Sequence, residues 1–208
     1  MLVEATSTGA TGSASVARMT KRDRRAQLLE VAENSFGTAG YHATSMNDLA
    51  AAAGITKPVL YRHFPSKRDL YLAVLDDCCA RLLNEIVKAT ADAPTPHEQV
   101  SRGFLAYFTF VVHHQPAFTV LFTDAAGVDA ELHEPVRALK ASIATTIATL
   151  IHADIDDAHR RMLSVGIVAM AEGMGQLCVA EGLTIDPEKL AQQAADLAWA
   201  GLRIVKRI

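Results

Sequence analysis

Residues 44–64 constrain the fold most: they read as two short helices joined by a glycine turn, with a cap, bend or stop wherever one is needed. Asp48 follows Ser45 at the capping-box spacing, so Thr44 or Ser45 can open the first helix. That helix is expected to end near Ala53, where Gly54 permits a sharp backbone turn. Thr56 suits the N-cap of the second, and Pro58 falls in its first turn, where a missing N–H costs little. Pro65 stops it, and Ser66, with Asp69 three on, starts another helix. Upstream, Leu28, Leu29, Ala32 and Phe36 share one face of a helix predicted over Lys21–Ala39, with Gly40 as its stop.

The remainder of the 208 residues is punctuated in the same way. Tyr71, Val74, Cys78, Leu82 and Ile86 repeat at helical spacing over Lys67–Ala89, and Ala93-Pro94-Thr95-Pro96 makes the next break. Further helices are predicted over His97–His114, Ala117–Thr123, Asp129–Ala153, Asp156–Gly182 and Pro187–Ile208. Half the residues are hydrophobic, alanine is abundant and β-branched alternation is scarce, so the fold class is all-α. Charges or prolines interrupt each apolar run before the roughly 18 residues of a membrane span, so no membrane partner is expected. Residues 1–17, rich in Ser, Thr, Gly and Ala, lack a basic start and an apolar run, and read as a disordered tail rather than a secretion signal. Cys78, Cys79 and Cys178 make no paired framework, which fits a reducing cytoplasm and three small apolar side chains.

The formal charge of −3 hides an asymmetry. Between Arg18 and Arg68 nine Lys or Arg face four Asp or Glu, a balance of +5, which leaves −8 on the rest of the chain. A basic end of this kind is the electrostatic footprint of a nucleic-acid contact. In a helix-turn-helix, one helix braces across the backbone while the next enters the major groove. Met46, Leu49, Ala50, Ile55, Val59, Leu60 and Phe64 can pack its core. That leaves Thr44, Ser45, Thr56, Lys57, Pro58, Tyr61, Arg62, His63 and Lys67 as candidate DNA contacts. Hydroxyls and free N–H groups at helix starts can take phosphate oxygens, Lys57 can reach guanine acceptors, and the Pro58 ring can touch a thymine methyl.

The run Phe36…Gly40-Tyr41…Thr44…Ile55-Thr56-Lys57-Pro58-Val59-Leu60-Tyr61-Arg62-His63-Phe64-Pro65-Ser66-Lys67…Leu70 resembles the N-terminal domain of TetR-family transcriptional regulators over roughly residues 22–75. The resemblance implies an all-α homodimer, usually a repressor, that binds a palindromic operator and releases it when a small molecule enters the C-terminal domain. It also implies DNA contacts at Thr44, Thr56, Lys57, Pro58, Tyr61, His63 and Lys67, with Tyr61 and Lys67 chiefly on phosphates; Arg62 sits where the family varies. The expected division is therefore a helix-turn-helix DNA-binding domain over 18–66 and a helical ligand-binding and dimerisation domain over 67–208.

Five of the seven phenylalanines fall between Phe104 and Phe122. Phe104, Tyr107, Phe108, Val111, Phe118, Leu121 and Phe122, with Met170 and Met174 as adaptable walls, are candidates for a ligand cavity; core packing is the alternative. This segment, with Gly166-Ile167-Val168-Ala169-Met170, is similar to fatty-acid-synthesis regulators of the same family, which implies an elongated apolar effector such as a fatty acid or acyl-CoA. The last two helices are expected to make the dimer. Gly166, Ala169 and Gly173 supply small positions on one, and Leu190, Ala194, Leu197 and Gly201 an apolar stripe on the other.

Eight histidines invite a metal, yet His113 and His114 have no carboxylate or Cys at i+3 or i+4, His133, His152 and His159 lack a convincing ligand partner, and no phosphate-cradling loop, G-x-S-x-G or H-E-x-x-H occurs. No cofactor, metal or catalytic residue is therefore expected. A transcriptional activator of the same fold and a helical small-molecule-processing enzyme remain the alternatives.

Overall fold

A computed structural model of the protein describes residues 19–123, 130–182 and 186–202; the expected tail at 1–17 lies outside them. Nine α-helices and no strands occur among the described residues. Three short-range units build the N-terminal part: α1 (Lys21–Ala43), α2 (Met46–Ala52) and α3 (Lys57–His63). Gly40, at φ 82° and ψ 164°, breaks the helical path inside α1, so the regular helix stops where the sequence places its stop. Ser45 and Asp48 form the reciprocal capping box at the start of α2. Gly54, at φ 64°, makes the turn into α3. Leu28, Ala32, Phe36, Leu49, Leu60 and Phe64 close the core between the three helices, with Ile55 and Val59 half-buried at its edge.

The C-terminal part holds α4 (Lys67–Thr90), α5 (Pro96–His113), α6 (Gln115–Phe118) with a π-helical turn over Thr119–Thr123, α7 (Ala130–Thr149), α8 (Asp157–Ala180) and α9 (Pro187–Leu202). Serine, threonine or aspartate caps open α4, α5 and α8, at Ser66, Thr95 and Asp156. α7 ends four residues before the expected Ala153. The side chain of Arg160 accounts for this: it donates to the carbonyls of Ile151, Ala153 and Ile155 and holds that stretch as a loop. α5 packs along α4 on one side and α9 on the other, while α7 lies against α8.

Two close contacts join the halves. Glu33 of α1 pairs with Arg81 of α4, which also bonds Asp77. Gly37 of α1 meets Pro116 at the start of α6 so closely that a side chain there would stand 2.5 Å from the proline Cα. By length and composition α8 is apolar enough to cross a membrane, with Glu172 as the single charge that interrupts it between Met162 and Val179.

Candidate functional site

The outer surface of α3 carries the candidate DNA contacts. Thr56, Lys57, Pro58, Tyr61 and Arg62 are exposed, because Leu60 turns the opposite face of this two-turn helix into the core. Thr56 caps α3 without a side-chain bond to it, so its hydroxyl is not spent on the helix. Lys57 Nζ stands 5.8 Å from the Tyr61 ring centroid. His63, at the far end, is half-buried beside the basic start of α1. Partial burial, then Lys21, Arg25, Arg24 and Arg62, hold its pKa below the ordinary 6.5, which places four cations around the C-terminal end of α3.

Three of the nine candidates have other partners. Thr44 is buried, and its hydroxyl donates to Gly40 O at 2.8 Å and Ser35 O at 3.3 Å, tying down the end of α1. Lys67 Nζ donates to the carbonyls of Tyr41 and Thr44 at 2.9 and 3.1 Å and lies 4.3 Å from the Tyr41 ring centroid. Ser45 is exposed, but its hydroxyl donates to Asp48 within the capping box. Lys67 and Thr44 thus brace the segment that carries α2. Spacing alone cannot show this, since the partner carbonyls lie 23 and 26 residues from Lys67.

In the C-terminal part, α4, α5, α7, α8 and α9 leave a cavity of about 170 Å³. Phe104, Tyr107 and Phe122 line it. Phe108, Val111, Phe118 and Leu121 are buried but do not reach it; they form the solid core beside it. Met170 lies in a shallow groove on the outside of α8, and Met174 packs half-buried against the core, so neither walls the cavity. The aromatic stripe is therefore partly cavity and partly core.

Sequence reading missed most of the wall. Leu82 and Ile86 come from α4, Ile143 and Ile147 from α7, Ile167 and Val168 from α8, and Trp199 and Leu202 from α9. The Ile143, Ile147, Leu150 spacing on α7 was the available signal. Thr90, Gln99 and His152 bring the polar groups of one end, where the loop held by Arg160 forms the rim. Tyr107 stands at the other end of the α5 wall. Burial first, then the charge of Glu172, pushes its hydroxyl pKa well above 10, so it stays protonated. Glu172 itself pairs with Lys140 at 2.6 Å.

The expected dimer residues divide as well. Gly166, Ala169, Gly173, Leu197 and Gly201 are exposed, and Leu190 is half-buried. Ala194 is fully buried in its own protomer, as are its neighbours Ala191 and Ala195, so it has no surface to offer a partner. Met162, Val165 and Leu177 extend the exposed stripe of α8, at 69, 47 and 55 % exposure. Gly175 faces inward: a Cβ there would meet Phe118 at 2.9 Å. Burial also pushes the Cys78 thiol pKa far up, which makes it an unreactive core group. No group of three His, Cys, Asp or Glu that could hold a metal occurs among the described residues.

Comparison with known proteins agrees with this arrangement. Residues 28–74 match the family model of bacterial regulatory proteins of the tetR family, and residues 96–201 match the tetracyclin repressor-like C-terminal domain. The chain is 30 % identical over 187 residues to the HTH-type transcriptional activator FasR of Mycolicibacterium smegmatis, covering 89 % of this chain and 85 % of that one. It is 38 % identical over 107 residues to the HTH-type transcriptional repressor KstR2 of Mycobacterium tuberculosis, about half of each chain. A TetR-like transcriptional regulator from Rhodococcus sp. RHA1 superposes with a TM-score of 0.72 at 27 % identity, over 89 % of this chain and 99 % of that one. FadR of Bacillus subtilis, solved with stearoyl-CoA, shares the fold at a TM-score of 0.73 and 15 % identity, over 85 % of this chain and 98 % of that one. A helix-turn-helix unit at one end, a cavity-bearing helical body at the other and family matches over both show that the chain belongs to the TetR family of bacterial transcriptional regulators.

Proposed function

We propose that the protein is a ligand-responsive transcriptional repressor that binds a palindromic operator as a homodimer and is released by a small apolar effector, a fatty acid or acyl-CoA. The observation that carries this reading is the exposed row Thr56, Lys57, Pro58, Tyr61 and Arg62 on α3, flanked by the cationic start of α1. Lys57 and Pro58 would meet base edges, and Thr56, Tyr61 and Arg62 phosphates, with Ser45 as a flanking contact. His63 contributes through its ring edge.

Support for a homodimer comes from the exposed apolar stripe of α8 with Leu197 and Gly201 of α9. An added Cβ at Gly166, Gly173 or Gly201 would meet nothing within 4 Å, so a partner helix can approach closely. Two-fold pairing would set the recognition helices about 34–36 Å apart, or further, for successive major grooves. Support for an elongated apolar effector comes from the cavity wall, which is aliphatic and aromatic except at its ends. Such a protein acts in the cytoplasm, where its DNA is.

Footprinting on the DNA flanking the coding region, repeated at two salt concentrations and with acyl-CoAs of several lengths, tests the proposal. A two-fold symmetric footprint that weakens steeply with salt and is lifted by one chain-length class is expected. No protected site, or protection indifferent to every acyl-CoA, refutes the DNA or the effector half respectively. Activation is a second reading, favoured because the relative aligned over 89 % of this chain is named an activator. The sign would follow from where the operator lies relative to the promoter.

A further inference from the structure

One polar group in the wall of this apolar cavity is unpaired. The Tyr107 hydroxyl has no hydrogen-bond partner, and it is the sole buried side-chain polar atom in that state among the described residues. Tyr107 is 6 % exposed. Its ring stands edge-on to those of Phe108, Phe118 and Phe122, none of which can accept a conventional hydrogen bond. The hydroxyl reaches toward α8, since a Cβ on Gly175 would come within 3.1 Å of it. Tyr107 itself lines the cavity, and Gly175 lies about one turn beyond the cavity-lining Ala171, so the hydroxyl stands just past the inner end of the cavity.

Buried donors left unpaired are costly, and native proteins seldom keep one without a use. The nearest polar groups are already engaged: Gln176 Nε2 donates to Phe122 O at 2.8 Å and to Glu172, and Glu172 accepts from Lys140. Along α5, Gln99 at the polar rim and Tyr107 are eight residues apart, about 12 Å of helix. A molecule that fills this length meets hydrogen-bonding groups at both ends and hydrocarbon between them.

We infer that Tyr107 is a specificity-determining residue that selects an effector bearing a neutral oxygen acceptor at its inner end, an elongated apolar molecule oxygenated at both termini rather than a plain acyl chain. The inference rests on the cavity being the effector site and refines its ligand class. A carboxylate at the inner end is disfavoured, because the negative charge of Glu172 already acts on this hydroxyl. A hydroxyl or ketone there accepts from Tyr107 without that repulsion.

Trp199, the single tryptophan of the chain, lines the cavity and reports occupancy by its fluorescence. The full chain is titrated with decanoic acid, its omega-hydroxylated analogue and the corresponding dicarboxylic acid, for wild type and Tyr107→Phe. Wild type is expected to bind the hydroxylated chain at least about tenfold more tightly than decanoic acid, and the dicarboxylic acid more weakly than either. Tyr107→Phe abolishes the preference while leaving decanoic acid bound as well or better. Equal wild-type affinity for the hydroxylated and plain chains overturns the role of Tyr107 and leaves the cavity as effector site intact. An unchanged preference in Tyr107→Phe does the same. Failure of all three probes to bind wild type overturns the effector reading and this inference with it.

Discussion

Replacing Gly37 by alanine probes the junction between the DNA-reading unit and the helical body. The added Cβ would stand 2.5 Å from Pro116 Cα, 2.6 Å from its carbonyl oxygen and 2.7 Å from its Cβ. Non-bonded carbons pack at about 3.5–4.0 Å, so α1 and α6 must part by about 1 Å. No rotamer change can relieve this, because two of the atoms are backbone and the third belongs to a proline ring. Overpacking of this kind costs about 1–3 kcal/mol, while the better helix propensity of alanine returns about 1 kcal/mol. The net loss is therefore up to about 2 kcal/mol, which lowers the melting temperature by up to about 8 °C in a chain of this size. Gly103→Ala is the matched control: its Cβ would make only an ordinary contact, 3.6 Å from Thr90 Cγ2, so the propensity gain should survive. Thermal unfolding followed by circular dichroism reads both variants. A Gly37→Ala protein that melts at or above wild type refutes the claim that α1 and α6 are in rigid contact.

Lys57 and Lys67 are predicted to separate. Lys67→Ala loses two charge-assisted bonds to the Tyr41 and Thr44 carbonyls and destabilises the fold by about 2 kcal/mol, seen as a lower denaturation midpoint. Lys57→Ala leaves that midpoint unchanged and relaxes base preference at one position per half-site by about 1–3 kcal/mol, read by competition among operator variants. His63 predicts a pH dependence: its pKa lies below 6.5 in the free protein, and an arriving phosphate raises it, so binding takes up a proton. Affinity for DNA therefore rises as pH falls through about 6.5, and His63→Gln removes that rise. Stability has the opposite sign, because the folded state disfavours the protonated ring; its contribution is intact above 6.5 and declines below it. Leu177→Asp, on the exposed stripe of α8, is expected to give a monomer by sedimentation and to abolish operator protection.

What was legible in the sequence is local. Ser45, Thr56 and Ser66 each open a helix within one residue of the expected start, because the signals are local: a cap and its N3 partner three residues apart at Ser45 and Ser66, and a proline in the first turn after Thr56. Gly40 and Gly54 mark breaks for the same reason: the backbone there needs a positive φ. What was not legible involves partners distant in sequence. Lys67 and Thr44 have the composition of a groove surface, yet their hydrogen bonds fold back on the chain. Phe104 and Phe108 look equivalent on a helical wheel, but only Phe104 faces the gap that α4, α7 and α8 leave unfilled. Periodicity identifies a buried face; it does not say whether that face meets side chains or a void.

Two routes lead from the cavity to α3, and their stiffness differs. One is α4, whose Leu82, Ile86 and Thr90 line the cavity and whose first residue, Lys67, holds the end of α1. Its links to the middle of α1 run through side chains, the Arg81–Glu33 pair and the edge-on packing of Tyr71 on Phe36. The nine residues from Gln115 to Thr123 make a shorter route. Phe122 stands in the cavity wall, Phe118 lies against Gly175 of α8, and Pro116 abuts Gly37 of α1. A π-helical turn lies among them, a form that stores a register change which an α-helix cannot absorb. An effector pressing on Phe122 would find slack in the π turn but none at Gly37, where backbone already meets backbone. Displacement that passes the π turn reaches α1 with no further loss at Gly37, whereas on α4 it passes through side chains. Coupling requires only that the effector bind one arrangement better than the other, and the contact with least slack separates the two arrangements most in energy.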